Sequence, residues 1–196
     1  LDSSEELFIR WMEMGSFIPI FRNHSNMYTR RQEPWAFGPR AEKIAKKSIE
    51  LRYELLPYIY DLYYISHKEG LPIFRPMIME YEKDMNLLNM REQFMLGENM
   101  IVAPVLYEGE RSKTVYLPKG SWFNYFTMEK LQGGKWYKLP CELDEILVFV
   151  KEGSIIPTYN KKFRNVKERP NNILLKVFGE NAKGFYYNDD GHTMEY

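Results

Sequence analysis

Three histidines, one cysteine and a few acids in turn-like surroundings are the residues of this chain that could do chemistry. His24 stands in the run Arg22-Asn23-His24-Ser25, directly after the short apolar stretch SFIPIF. An imidazole there can donate to or accept from a hydroxyl, and a site built around a hydroxyl rejects analogues that lack it. The alternative is a histidine that caps loop backbone. Arg22 reads as an ion-pair partner that supports the same loop. No two of His24, His67 and His192 lie at metal-ligand spacing, so no zinc site is expected. Cys141 has no base or orienting group near it in sequence and reads as a part-buried thiol that packs like a small hydrophobe. Asp84, Asp144, Asp189 and Asp190 lie among turn formers, where aspartate commonly supports its own backbone. Asn188-Asp189-Asp190-Gly191 fails the EF-hand pattern and reads as a tight hairpin turn. The glycosylation sequon Asn23-His24-Ser25 is read as chance.

Composition bounds what these residues can serve. The 27 Lys plus Arg balance the 27 Asp plus Glu, so no electrostatic pull toward nucleic acid or an anionic membrane is expected. With 44% hydrophobic and 28% charged residues, the 196-residue chain can bury a core. Aromatic residues reach 16%, which suits a thick core, an interface or stacking platforms. No run approaches the apolar length of a membrane-spanning helix. The opening LDSSEELFIRWMEMG carries acids where an export signal needs basic residues, so a cytoplasmic location is expected.

The elements follow from periodicity. Asp2, Ser3 or Ser4 can cap a helix over residues 4–14, with Leu7, Phe8 and Trp11 as its buried stripe and Gly15 as its end. SFIPIF reads as a buried strand with an irregular end at Pro19. Residues 22–38 are polar, rich in turn formers and aperiodic, as binding loops often are. Ile44, Ser48, Leu51, Leu55, Ile59 and Leu62 share one face of a helix over residues 39–69, which Pro57 should kink or divide and Gly70 should cap. Beyond Leu71, seven short apolar runs separated by turn residues predict an antiparallel sandwich, interrupted by a short helix near residues 90–96. YNKKFRNVKERP reads as a linker or a solvated hairpin, and ILLKVFG and FYYNDDGHTMEY as two further strands. Trp122, Phe123, Tyr125 and Phe126 should divide between the sandwich core and an outward face.

Seven segments, in order, resemble glycoside hydrolase family 31. ELFIRWMEMGSFIPIFRNHS is similar to the stretch leading into the family's eighth barrel strand, LRYELLPYIYDLYY to its last barrel helix and GLPIFRPM to the barrel exit. QFMLGENMIVAPV, VYLPKGSWFNYF and VKEGSIIP are similar to the first C-terminal β-domain, and FYYNDDGHTMEY to the opening of the second.

The resemblance implies an α+β fragment: the last strand and helix of a (β/α)8 barrel (residues 1–71), an antiparallel β-sandwich (residues 72–158), and a linker with the start of a distal β-domain (residues 159–196). It implies that His24 hydrogen-bonds the sugar where the bond is cut, with Arg22 beside it. Trp35 and Phe37 either wall that sugar site or pack on the following helix. The family's two catalytic aspartates stand in Trp-x-Asp-Met and Gly-Asp-Asn motifs; neither occurs here, so the chemistry is expected upstream and the chain alone should be inactive. The implied activity is retaining hydrolysis of terminal α-linked glucose, without metal or organic cofactor. The expected partners are an α-glucoside oligosaccharide and the remainder of the barrel, with exposed apolar surface driving self-association into homo-oligomers. A noncatalytic β-sandwich module that binds carbohydrate or protein is the rival reading.

Overall fold

The computed structural model describes residues 3–191. Helix α1 (Glu5–Gly15) begins where Ser4 Oγ accepts the Leu7 amide at 3.1 Å, and Glu5 and Glu6 face its positive end. Ser4 is thus the cap; Asp2 lies outside the described residues. The buried face is Phe8, Ile9 and Met12, whereas Leu7 and Trp11 are exposed, which corrects the predicted stripe by a rotation of the helix. Gly15 is needed at its end, because a Cβ there would stand 2.4 Å from the Phe21 ring.

The long periodic stretch is divided as Pro57 requires. Helix α2 (Pro39–Glu54) and helix α3 (Leu56–Glu69) meet at Leu55, and Gly70 closes α3 in a left-handed conformation. Ile44, Ser48, Leu55, Ile59 and Leu62 of the predicted face are buried.

The SFIPIF segment is not a strand but a succession of turns and bends. A strand needs neighbours for its carbonyls, and here side chains take them instead. Arg52 donates to the carbonyls of Ser16 (3.3 Å), Ile18 (2.7 Å) and Pro19 (2.7 Å), and Tyr63 Oη also donates to Pro19 at 3.1 Å.

The rest is antiparallel β. Strands β1 (Phe74–Pro76), β2 (Phe94–Leu96), β3 (Met100–Ala103), β5 (Ser121–Asn124), β6 (Lys130–Gln132) and β8 (Leu147–Lys151) form one sheet in the order β1-β2-β3-β8-β5-β6. Strands β4 (Ser112–Leu117) and β7 (Lys135–Pro140) form a second, and β9 (Ser154–Tyr159) and β10 (Ile173–Phe178) a third. The expected short helix at residues 90–96 is instead β2, because Phe94–Leu96 pairs with both β1 and β3. A helical turn, α4 (Met77–Glu80), follows β1 within the run IFRPMIMEY, which had read as one strand.

The central strands are apolar along their whole length because both faces are covered. Ile101 and Phe149 point to one cluster with Val115, Leu117 and Trp122, which packs β4 and β7 on the sheet. Met100, Val102, Val148 and Val150 point to the opposite cluster with Leu55, Ile59 and Leu62. The main sheet is therefore the middle layer between helices and a second sheet. Of the ring-rich run after Ser121, Trp122 faces the β core, Tyr125 faces the helices, and Phe126 is exposed. Residues 185–191 form neither a strand nor a hairpin arm; they lie along α3, with Tyr187 stacked on Tyr64 at 4.1 Å. His192 and the residues after it lie outside the described residues.

Candidate functional site

The loop from Arg22 to Gly38 is fastened at both ends. At the near end, Phe21 lies beneath the Arg52 guanidinium, 5.7 Å from ring centre to the cation. At the far end, Pro34–Phe37 forms a 3-10 turn whose Phe37 stacks on Phe8 of α1 at 4.1 Å and 9°. Arg30 locks that turn, with its guanidinium 4.2 Å over the Phe37 ring and a 2.8 Å hydrogen bond to the Ala36 carbonyl. In between, Asn23 Nδ2 reaches across the loop to the Gln32 carbonyl at 2.5 Å, and Thr29 Oγ1 donates to the Asn26 carbonyl at 2.7 Å. Tyr28, with φ of 68° and 97% exposure, holds a left-handed conformation that a bulky residue rarely adopts.

This frame brings Arg22 and His24 together. A guanidinium nitrogen of Arg22 lies 3.1 Å from His24 Nδ1. Because a guanidinium only donates, Nδ1 is the acceptor, and the ring proton then sits on Nε2. His24 is exposed, so that N–H is open to a ligand oxygen. Arg22 was expected to support the loop through an ion pair; among the described residues its contact is with the imidazole, for which it favours the Nε2–H tautomer. Trp35 and Phe37 separate: Phe37 is buried against α1, while Trp35 is 65% exposed.

Other candidate chemistry resolves into structure. Cys141 is buried, its Sγ 3.2 Å from the Glu145 carbonyl, and burial raises its pKa to about 11. A thiol held neutral in this way is a poor nucleophile. Asp84 Oδ1 accepts the Asn86 amide and its other oxygen accepts from Tyr116 Oη, so it caps a turn. Asp189 accepts from Tyr60 Oη and from the Gly191 amide. Among the described residues, no group of three or more His, Cys, Asp or Glu is placed to hold a metal ion. No helix among them is long and apolar enough to cross a membrane.

Arg30, Arg52 and two buried acids, Glu13 and Asp61, escaped the reading of the sequence. Nothing in their local pattern marks them, because each acts on a partner at least six residues away or through the burial that packing imposes on it.

The chain matches two domains of one family along its length. Residues 2–62 match the glycosyl hydrolases family 31 TIM-barrel domain, and residues 70–156 match the glycosyl hydrolase family 31 C-terminal domain. The chain belongs to glycoside hydrolase family 31. Alpha-glucosidase 2 of Bacillus thermoamyloliquefaciens is 38% identical over 197 aligned positions, which cover 100% of this chain and 25% of that protein. An alpha-xylosidase of Saccharolobus solfataricus is likewise 38% identical, over 97% of this chain and 26% of its own length. The solved family 31 dextranase of Flavobacterium johnsoniae, complexed with isomaltotriose, superposes with a TM-score of 0.87 at 38% identity, covering 95% of this chain and 24% of that one. This family 31 chain therefore spans about a quarter of the length of the relatives it matches.

Proposed function

We propose that this chain is the C-terminal part of a retaining α-glucosidase that removes terminal α-linked glucose from oligosaccharides. Residues 1–71 close its catalytic barrel, residues 72–158 form the proximal β-domain, and residues 159–196 open the distal one. His24 donates Nε2–H to a sugar hydroxyl, Arg22 positions His24, and Trp35 offers an exposed ring to the sugar's apolar face. The reading rests on the 38% identity with an alpha-glucosidase along the whole chain. The Arg22 to His24 contact, which leaves one ring donor facing outward, gives that reading a site. The two catalytic carboxylates are supplied by barrel strands outside this sequence, in retaining enzymes about 5 Å apart. A cytoplasmic location is proposed with it, on the lone buried thiol Cys141 in a chain without a disulfide.

The test compares the isolated chain with the complete enzyme on a chromogenic α-glucoside. The isolated chain should release no chromophore above background. Turnover equal to that of a complete family enzyme would show that the chemistry is carried within these 196 residues and would overturn the proposal.

A further inference from the structure

A cleft of about 810 Å3 opens between α2 and the β-domains, and none of residues 22–38 lines it. Its volume is that of a small-molecule site. Lys47, Glu50 and Glu54, spaced to lie on one face of α2, form its helical wall. Each already has a partner across the cleft. Lys47 Nζ lies 3.5 Å from Asp144 Oδ2, Glu50 Oε2 accepts from Lys162 at 2.5 Å, and Glu54 Oε1 accepts from Lys176 at 2.6 Å. With these charges compensated pairwise, the wall offers hydrogen-bonding groups rather than an uncompensated field, which suits a neutral polar ligand better than an ion.

Aromatic and buried polar groups complete the site. Phe126 is half exposed on the lining, held edge-on against Tyr125 at 5.1 Å. Phe163 meets Tyr53 at 5.0 Å and Tyr159 at 5.2 Å in two edge contacts, making a rigid corner of the cleft. Glu13, whose side chain is only 6% exposed, also belongs to the lining. Its Oε2 accepts from Arg10 at 3.3 Å, but Oε1 has no hydrogen-bond partner among the described residues. A buried polar atom without a partner is costly, and keeping the carboxyl protonated lowers that cost. Burial raises the Glu13 pKa to about 8, with Arg10 working against the rise, so at neutral pH the carboxyl keeps its proton.

We infer that this cleft binds a neutral oligosaccharide segment, with Phe126 as its stacking surface and the paired polar groups of the α2 wall as its hydrogen-bonding partners. Pyranose rings present apolar C–H faces beside hydroxyls, which is the mixture of ring and polar groups this lining supplies. The site does not depend on the role of His24.

Calorimetric titration of the 196-residue chain with maltotriose tests it. Saturable binding is expected at one site, about fivefold weaker in Phe126→Ala. Thr127→Trp, which places a large ring on the lining, should abolish binding, and His24→Ala should leave it unchanged. Absence of saturable binding overturns the inference. So does binding lost in His24→Ala and retained in Phe126→Ala and Thr127→Trp, a result that leaves the proposed glucosidase function standing. Conversely, cleft binding that persists while His24→Ala leaves the complete enzyme's kinetics unchanged supports the cleft and removes His24 from the catalytic reading.

Discussion

The backbone amide of Tyr187 donates to Asp61 Oδ1 at 2.7 Å, joining the 185–191 segment to α3 through a carboxyl that is 2% exposed. The other oxygen, Oδ2, has no hydrogen-bond partner among the described residues. Burial raises the Asp61 pKa to about 7, against the pull of the Tyr187 amide. Tyr58 and Tyr186 are the titratable neighbours that feel its charge. A folded value above the unfolded one means that the folded chain keeps a proton which the unfolded chain has released. The contribution of Asp61 is therefore complete below pH ~4 and is lost as pH rises to about 7. Asp61→Asn should come close to the parent in stability at pH 4 and exceed it by about 4 kcal/mol at pH 8, read from urea unfolding midpoints. A variant less stable than the parent at pH 8 would show that the charged carboxylate is compensated in the fold.

Arg52 holds the 16–21 segment by three carbonyls, and among the described residues no backbone ladder shares the task. Arg52→Ala should destabilise the chain by about 2 kcal/mol, since hydrogen bonds from a charged donor are lost and Pro19 alone of the three carbonyls keeps a side-chain donor, Tyr63. Arg52→Lys should recover less than half of this, because an ammonium lacks the guanidinium's planar fork. Thermal unfolding measures both, and a Lys variant as stable as the parent would count against the fork geometry.

His24 and Arg22 should behave as one unit in the complete enzyme. His24→Ala is expected to lower kcat/KM by the equivalent of ~2 to 4 kcal/mol, and Arg22→Ala by a smaller amount. In the double variant the losses should fall short of additive, because Arg22 acts through the ring it orients. Steady-state kinetics on an α-glucoside give all three numbers. Strict additivity would mean that Arg22 acts on the substrate independently.

Gly15 gives the Phe21 ring its place at the end of α1. In Gly15→Ala the added methyl would meet the ring at 2.4 Å, so the ring or the helix end must move. The expected cost is about 1 to 3 kcal/mol, as for other overpacked contacts. Phe21→Leu in the alanine background should restore part of the loss. Unfolding midpoints that do not change on Gly15→Ala would show that the ring moves aside freely.

Much of the architecture was legible because it is written in local periodicity. The face from Ile44 to Leu62, the break at Pro57, the cap at Gly70 and the succession of antiparallel strands need only side-chain spacing and backbone preference, which act within a few residues. Other features depend on partners far along the chain. The face of α1 turned inward was set by Phe37 stacking on Phe8, not by Leu7 and Trp11. SFIPIF has the composition of a strand, yet Arg52 and Tyr63 occupy its carbonyls. Phe94–Leu96 carries too few residues to declare itself, and pairing with strands on both sides decided it.

The site divides along the same line. The order of its motifs, the placing of His24 after an apolar run and the lack of Trp-x-Asp-Met and Gly-Asp-Asn motifs were all determined by the sequence alone, since each concerns residue type and position in the chain. Only the tertiary structure decided that Arg22 favours one imidazole tautomer, that Trp35 and Phe37 part company, and that Glu13 and Asp61 are buried with one oxygen each left without a partner among the described residues. The reason is physical: tautomer, exposure and the energy of a charge depend on which groups and how much water stand within a few ångströms, and folding sets that distance between residues far apart in the chain.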